Sequence, residues 1–343
     1  MTVKLSIIIP FYNVVDYIAE SISSVMTASN FSYEVLLIDD GSTDGSHEVA
    51  KKFAKDFTNV KLIVQENKGL GAARNLGVEH AHGEYIVFLD SDDLIIKGAY
   101  SRMLQQIDES GSDFIVGNVA RLNGQGIWYS SLHKNSFPKT VSNVTIYTNP
   151  ELINDTTAWN KIIRRSFWKQ NNAVFPEGIL YEDIPIILPL YTKARVDVYS
   201  DLMYLWRSRS AGDASITQAH DYKNIHDRML AVNHVYNYFQ NNAPELLKYY
   251  NSKVLDNDFQ IYLNEFYKQE PELFDYIYCS IKEYLSNVEI EDLKQLPLHQ
   301  RIQYVLIKRD QKSMLLDYLQ AYRSGDIVNV EAIVDKNRVI ANA

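Results

Sequence analysis

The chain has 343 residues, a length that favours about two domains. Hydrophobic residues make up 46%, enough to bury a sizeable core and to exclude a wholly disordered chain. With 43 acidic against 34 basic side chains the formal net charge is -9, and no basic patch of sufficient size interrupts it, which argues against nucleic acid as a partner.

Cys279 is the only cysteine, so there is no internal disulfide and no thiolate metal cluster, and a reducing compartment fits. Met1-Thr2-Val3-Lys4-Leu5 passes straight into an apolar strand, too short and of the wrong shape for a secretory signal. No stretch approaches the roughly 18 to 20 apolar residues of a membrane span. These features predict a soluble cytoplasmic protein, with peripheral contact at the inner face of the membrane left open.

In chain order, strand-length apolar runs fall at residues 5–9, 35–38, 60–64 and 85–89, each rich in β-branched side chains. Amphipathic stretches at 15–26, 46–57 and 71–79 lie between them, the second with Ser42 or Thr43 as its expected cap and Asp44 and Glu48 near its start. Strand alternating with helix predicts an α/β fold, a mostly parallel central sheet with helices on both faces. Such a sheet binds ligands at the carboxyl ends of its strands. A further strand is expected at 113–119, then loop and turn from 122 to 136. Helical and strand signals mix from 149 to 169. From 220 to 320 Tyr and Phe recur at helical spacing, as in Tyr236, Tyr238, Phe239, Tyr249 and Tyr250, and predict an α-helical region whose aromatic stripes are core.

The polar residues gather at the strand ends. The first strand runs out in Pro10-Phe11-Tyr12-Asn13, where Pro10 is expected to stop the ladder and Tyr12 to stand as a flat platform. The second ends in Asp39-Asp40-Gly41-Ser42-Thr43-Asp44-Gly45; a carboxylate there can accept from the N–H edge of a uracil or from ribose hydroxyls, although a turn with a helix cap accounts for the segment equally well. The fourth ends in Asp90-Ser91-Asp92-Asp93. Three carboxylates in four residues repel one another unless a cation sits among them, and Mg²⁺ or Mn²⁺ suits one or two carboxylates completed by substrate phosphates. Between these lies Asn67-Lys68-Gly69-Leu70-Gly71-Ala72-Ala73-Arg74-Asn75, whose small residues let a helix approach closely and whose arginine fork suits a diphosphate or a base.

In that order and spacing, these four segments resemble the family-two glycosyltransferases of the GT-A fold. The resemblance is close over residues 3 to about 120 and looser over 155–220. It implies an inverting transfer from a nucleotide diphosphate sugar, most readily a UDP-sugar, although GDP, CDP and dTDP donors occur in the family. It also implies Mn²⁺ or Mg²⁺ as cofactor, and a bacterial surface glycan, polyol-phosphate or lipid-linked acceptor. By the same resemblance Pro10, Tyr12 and Asp40 hold the nucleoside, and Asn67 and Arg74 line its pocket. Asp90 and Asp92 form the Asp-x-Asp that binds ribose and metal, with Asp93 as an additional ligand or neighbour.

Leu180-Tyr181-Glu182-Asp183-Ile184-Pro185 is similar to the family's Glu-Asp element, which makes Asp183 the base that deprotonates the acceptor hydroxyl and Glu182 its local rival. A helix start with acidic residues near its positive end describes the same segment. Trp159-Asn160-Lys161 also resembles family sequence, with Lys161 either near the donor or part of the scaffold. Tyr204-Leu205-Trp206-Arg207-Ser208-Arg209 with Ser215-Ile216-Thr217 resembles the basic segment that closes over the diphosphate, Arg207 or Arg209 meeting its growing charge. A metal-binding histidine found in some relatives has no counterpart before His220. The expected division is residues 1–220 as catalytic domain, with 1–120 the nucleotide-sugar half and 121–220 the acceptor half, and 221–343 as a helical region. Within the latter, Arg301, Lys308 and Arg309 lie among apolar residues, as a solvated helix face or a contact for anionic lipid. The uncapped end Arg338-Val339-Ile340-Ala341-Asn342-Ala343 suggests a longer chain, and an oligomer is left open. Rival classes are a nucleotidyltransferase or dehydrogenase, which the strand-end residues disfavour, and a non-catalytic binding module, which retention of every acidic motif disfavours.

Overall fold

Strand β1 (Leu5–Phe11) lies between β2 (Tyr33–Asp39) and β4 (Tyr85–Phe88), with β3 (Val60–Val64) outside β2, and all these pairs are parallel. The computed structural model describes residues 2–26, 30–129, 136–209, 221–266 and 269–326. Every residue of β1 and β4 is buried, which is why these strands read as continuous apolar runs rather than alternating ones. Helices α1 (Ile18–Val25), α2 (Ser46–Asp56) and α3 (Leu70–His80) make the connections. They pack on the sheet through Ile18, Ile22, Ala50, Ala72 and Ala73, all buried.

The sheet then changes direction. After β5 (Leu94–Ile95) and α4 (Ala99–Ser110) come β6 (Phe114–Asn123), β7 (Gly126–Tyr129), β8 (Val141–Val144), β9 (Lys161–Arg164), α5 (Arg165–Gln170), α6 (Ile184–Tyr191) and β10 (Val196–Arg207). The strand order is β3-β2-β1-β4-β9-β6-β10-β5. β9 is wedged antiparallel between β4 and β6, while β10 runs parallel to β6.

Three local expectations are corrected. Pro10 does not stop the ladder, which continues through Pro10↔Ile38 to Phe11↔Asp39. Ile8 addresses β4, since its carbonyl receives the Leu89 N–H, and Pro10 shares that orientation. The N–H that Pro10 lacks would therefore point past the last β4 pair, Ile8↔Phe88, where no partner strand needs it. The cap of α2 is neither Ser42 nor Thr43: Gly45 takes the N-cap position at φ 103°, and Asp44 Oδ1 accepts from Ser46 N at 2.9 Å. Within the expected loop, β6 continues to Asn123 and turns into β7, pairing Leu122 with Ile127 and Arg121 with Trp128; residues 130–135 lie outside the described residues.

The chain divides into two compact units, residues 1–219 and 220–343. The second is helical: α7 (Tyr222–Asn242), α8 (Leu247–Lys253), α9 (Gln260–Asn264), α10 (Pro271–Leu285), α11 (Ile290–Leu293), α12 (Leu298–Lys308) and α13 (Lys312–Ser324). Its aromatic residues Tyr236, Phe239, Tyr250, Tyr284 and Tyr304 are core, although Tyr249 faces solvent. Lys308 turns its ammonium to the carbonyls of Leu285 and Val288, both at 2.6 Å. It closes a helix end there rather than joining a basic face. Cys279 is exposed, and among the described residues no helix is long and apolar enough to cross a membrane.

Candidate active site

The loops after β1 and β2 are stitched together at their carboxyl ends. Asn13, at φ 50°, accepts from Thr43 N at 2.8 Å, and Asp44 Oδ2 accepts from Val15 N at 2.9 Å. Of the paired carboxylates, Asp39 is buried and spent locally, accepting from Ser42 N and meeting His47 Nδ1, each at 2.8 Å. Asp40 is also buried. It accepts from Gln65 Nε2 at 2.7 Å and from the backbone of Lys68 and Gly69 at 2.9 Å, so it shapes the loop that carries Asn67. Tyr12 is 47% exposed, Asn67 is exposed and Pro10 is buried behind them.

Helix α3 enters this region through Gly69 and Gly71. Gly69 takes φ 89°, and a Cβ on Gly71 would strike the Pro176 carbonyl oxygen, so the small residues do bring the helix close. The consequence for Arg74 differs from expectation. Rather than lining an open pocket, it is 1% exposed, with one terminal nitrogen on Asp90 Oδ1 at 2.7 Å and the other on Glu182 Oε1. Burial alone would weaken its charge, but Asp90, Glu182 and Asp183 together hold its pKa above the ordinary arginine value.

The turn Asp90–Asp93 separates into distinct roles. Asp93, expected as an additional ligand or a structural neighbour, takes the second place rather than that of a metal ligand: Oδ2 takes the Tyr204 hydroxyl at 2.6 Å and Oδ1 takes Arg207 N at 2.7 Å. It is 1% exposed, so its oxygens turn inward and are committed to protein. Burial, then the charges of Asp92 and Asp90, push its pKa well up despite those two hydrogen bonds. Asp90 and Asp92 are half-buried. Burial likewise raises the Asp92 pKa; Arg209 opposes this and Asp90 adds to it.

Among the described residues no three His, Cys, Asp or Glu side chains converge as a ready cage for a metal. The two partly open carboxylates of Asp90 and Asp92 fit a hard cation whose remaining ligands come from phosphates and water.

The basic arm is formed by the end of β10. Arg207 donates through Nε to the Asp92 carbonyl and through Nη2 to Glu20, both at 2.6 Å. Arg209 Nε donates to Asp92 Oδ2 at 2.8 Å. Both guanidinium groups lie over the Tyr17 ring, at 5.4 and 5.0 Å. Ser215, Ile216, Thr217 and His220 lie outside the described residues.

On the other side, Tyr181 takes φ 60° and Asp183 starts α6 without a capping side-chain hydrogen bond. Burial raises the Asp183 pKa, Asp90 adds to it, and Arg74 and Lys161 oppose it. Glu182 is pushed up by burial against the pull of Arg74, to which it is bound. Lys161 belongs to the scaffold: it is fully buried, with Nζ at 2.6 Å from Asp155 Oδ2 and 2.7 Å from Asn160 Oδ1, while Tyr191 donates to the same Asp155 oxygen at 2.7 Å. The sequence gives no reason to single out Asp155, Tyr191, Tyr17 or Glu20. Their only signal was membership of otherwise ordinary segments.

Residues 6–170 match the family model described as glycosyl transferase family 2. The glycosyltransferase GlyA of Streptococcus pneumoniae serotype 4 is 31% identical over 215 residues, covering 60% of this chain and 31% of that protein. The poly(ribitol-phosphate) beta-glucosyltransferase of Bacillus spizizenii is 32% identical over 216 residues, covering 61% and 33%. The chain thus spans about a third of the length of these two curated relatives. The crystal structure of S. aureus TarS 1-349 in complex with UDP-GlcNAc superposes with a TM-score of 0.69 at 23% identity, covering 98% of this chain and 91% of the other, which identifies the fold as GT-A. The likeness to glycosyl transferase family 2 thus lies in residues 6–170, just under half of the chain.

Proposed function

We propose that the chain transfers a sugar from a nucleotide diphosphate donor to an acceptor hydroxyl with inversion, in a metal-assisted single displacement. Residues 1–120 serve the donor and 121–220 the acceptor. One observation carries this reading: Arg74 joins Asp90, on the expected donor side, to Glu182, the neighbour of the expected base Asp183. A single buried side chain thus links the turn proposed to hold the metal with the segment proposed to carry the base.

In this reading the nucleoside stacks on Tyr12 and is bordered by Pro10, Asn67 and the Asp40-supported loop. Asp90 and Asp92 would hold Mn²⁺ or Mg²⁺, which would supply positive charge to offset that of the diphosphate. Asp183 accepts the acceptor's proton as its oxygen bonds to the anomeric carbon. The bond from that carbon to the diphosphate oxygen breaks, and its electron pair leaves with the nucleotide. Arg209 and Arg207 lie where they can meet that charge.

UDP is the nucleotide to test first, since TarS is observed with UDP-GlcNAc. The acceptor class follows from a relative that acts on poly(ribitol-phosphate). Incubation with a panel of UDP-sugars, Mn²⁺ and ribitol-phosphate oligomers, followed by NMR of the product's anomeric proton, tests the reading. A product of inverted configuration is expected. Retention of configuration, or release of UDP that never depends on Asp183, would remove it.

A further inference from the structure

The cations around the site are almost all spent. Arg74 is held by Asp90 and Glu182, Arg207 by Glu20 and the Asp92 carbonyl, Arg209 by Asp92, and Lys161 by Asp155 and Asn160. Arg121 differs. It is half-buried on β6, and among the described residues no hydrogen bond or ion pair engages its guanidinium. Its position is nevertheless fixed, because the guanidinium carbon lies 3.2 Å from the centre of the Trp206 ring. Trp206 is in turn braced by Trp159 at 5.4 Å, and Trp159 stacks on Tyr204 at 4.3 Å. A cation held against an aromatic ring, with its donors unspent, is prepared for an anion it does not yet have.

The strand register shows which side chains lie beside Arg121. Trp206 pairs with Arg121 and Arg121 pairs with Trp128, so the three form one row across β10, β6 and β7. The row starts beside Arg207 and ends on the edge strand, where Trp128 is 44% exposed. In the proposed function a nucleotide diphosphate would be met near Asp92 by Arg207 and Arg209, which both bond that residue. A ligand reaching Arg121 from the same centre continues outward along Trp128, as a polymer chain would and a compact donor would not. Asp93 is the carboxylate whose charge Arg121 feels, but its two oxygens are already taken by Tyr204 and Arg207 N.

We propose that Arg121 binds a phosphate ester carried by the acceptor, close to the hydroxyl that reacts, and that Trp128 supports the adjoining sugar or polyol. The planar fork matches two phosphate oxygens, and an indole face suits the C–H groups of a polyol. The assignment deepens the proposed transfer activity and rests on it for the identity of the acceptor site.

Calorimetry without donor on the wild-type chain, Arg121→Gln, Arg121→Lys and Trp128→Ala tests it. Two phosphate probes separate the sources: a ribitol-phosphate oligomer, and a sugar linked to a short water-soluble prenyl diphosphate. A separate titration with UDP and Mn²⁺ reports whether each variant still folds and binds nucleotide. For Arg121→Gln we expect at least a tenfold loss of affinity for one of the two probes, a smaller loss for Arg121→Lys, and UDP affinity within twofold of wild type. The wild-type affinity for that probe should fall with added salt, and the Gln variant's should fall less steeply. Unchanged probe affinity in Arg121→Gln overturns the assignment, as does a parallel loss of UDP affinity, which would place Arg121 on the donor. A wild-type chain that binds neither probe overturns it whatever UDP does. One that binds a probe through Arg121 but never UDP leaves it standing and removes UDP as the donor nucleotide instead.

Discussion

Arg74 Nη2 lies 2.7 Å from Asp90 Oδ1, inside a buried bridge whose other end is Glu182. Replacing Arg74 with Met leaves Glu182 buried without its cation, and breaking a buried pair from one side costs about 3–5 kcal/mol. A fall of that size in chemical denaturation is the expected outcome for Arg74→Met. Adding Glu182→Met removes the stranded charge, so the double variant should recover part of the loss. Additive losses would mean that the bridge is not a coupled unit.

Asp183→Asn removes the proposed proton acceptor while keeping its shape. Turnover should fall by about 10² to 10⁴, the usual contribution of a positioned base, with the UDP dissociation constant unchanged. Single-turnover transfer with a saturating donor separates the two quantities. Transfer within a few-fold of wild type would exclude Asp183 from the proton step.

The same group sets an expected pH dependence. A base must be ionised to act, and burial raises the Asp183 pKa above the usual carboxylate value while Arg74 and Lys161 pull it down. The rate should therefore rise with pH through a limb placed above the ordinary carboxylate range of about 4, and transfer should be lost below it. Arg74→Lys weakens one of the two restraining charges and should move that limb further up. A limb at or below the ordinary carboxylate range would contradict the burial seen around Asp183.

The strand ends were legible because turn and ligand chemistry is local: Asp39-Asp40-Gly41 and Asp90-Ser91-Asp92 announce themselves within a few residues. What sequence could not separate was which carboxylate of a cluster faces inward. Asp93 reads like its neighbours, yet its partner Tyr204 stands 111 positions away. Arg74 reads as a nucleotide-facing arginine, because nothing within α3 reveals that Glu182 closes over it from 108 positions further on. β9 was likewise obscure, since the four residues Lys161–Arg164 become a central strand only because β4 and β6 leave a gap for them. Asp155 and Tyr191 are the partners that make a fully buried Lys161 tolerable, and each is unremarkable alone.

Gly71 gives a test of how tightly α3 is seated. Its missing Cβ is where the Pro176 carbonyl oxygen sits, and backbone cannot swing aside as a flexible side chain can. Gly71→Ala should cost about 1–3 kcal/mol despite alanine's better helix propensity, because overpacking outweighs that gain. A stabilised variant in thermal unfolding would show that the 176 segment moves freely.

Tyr204 ties the two ends of the acidic turn. Its hydroxyl accepts from Asp90 N at 3.3 Å and donates to Asp93 Oδ2 at 2.6 Å. Tyr204→Phe keeps the ring that stacks on Trp159 at 4.3 Å and deletes only those two bonds. The loss should be about 1–3 kcal/mol, the cost of stranding a buried acceptor. Since Asp93 also holds Arg207 N, a loosened turn should release Arg207 from the Asp92 carbonyl and blur the spacing of Asp90 and Asp92. Mn²⁺ binding in the presence of UDP, read by electron paramagnetic resonance, should therefore weaken several-fold in Tyr204→Phe while UDP binding without metal stays unchanged. Equal weakening of both would mean that the ring, or the fold as a whole, had moved rather than the turn.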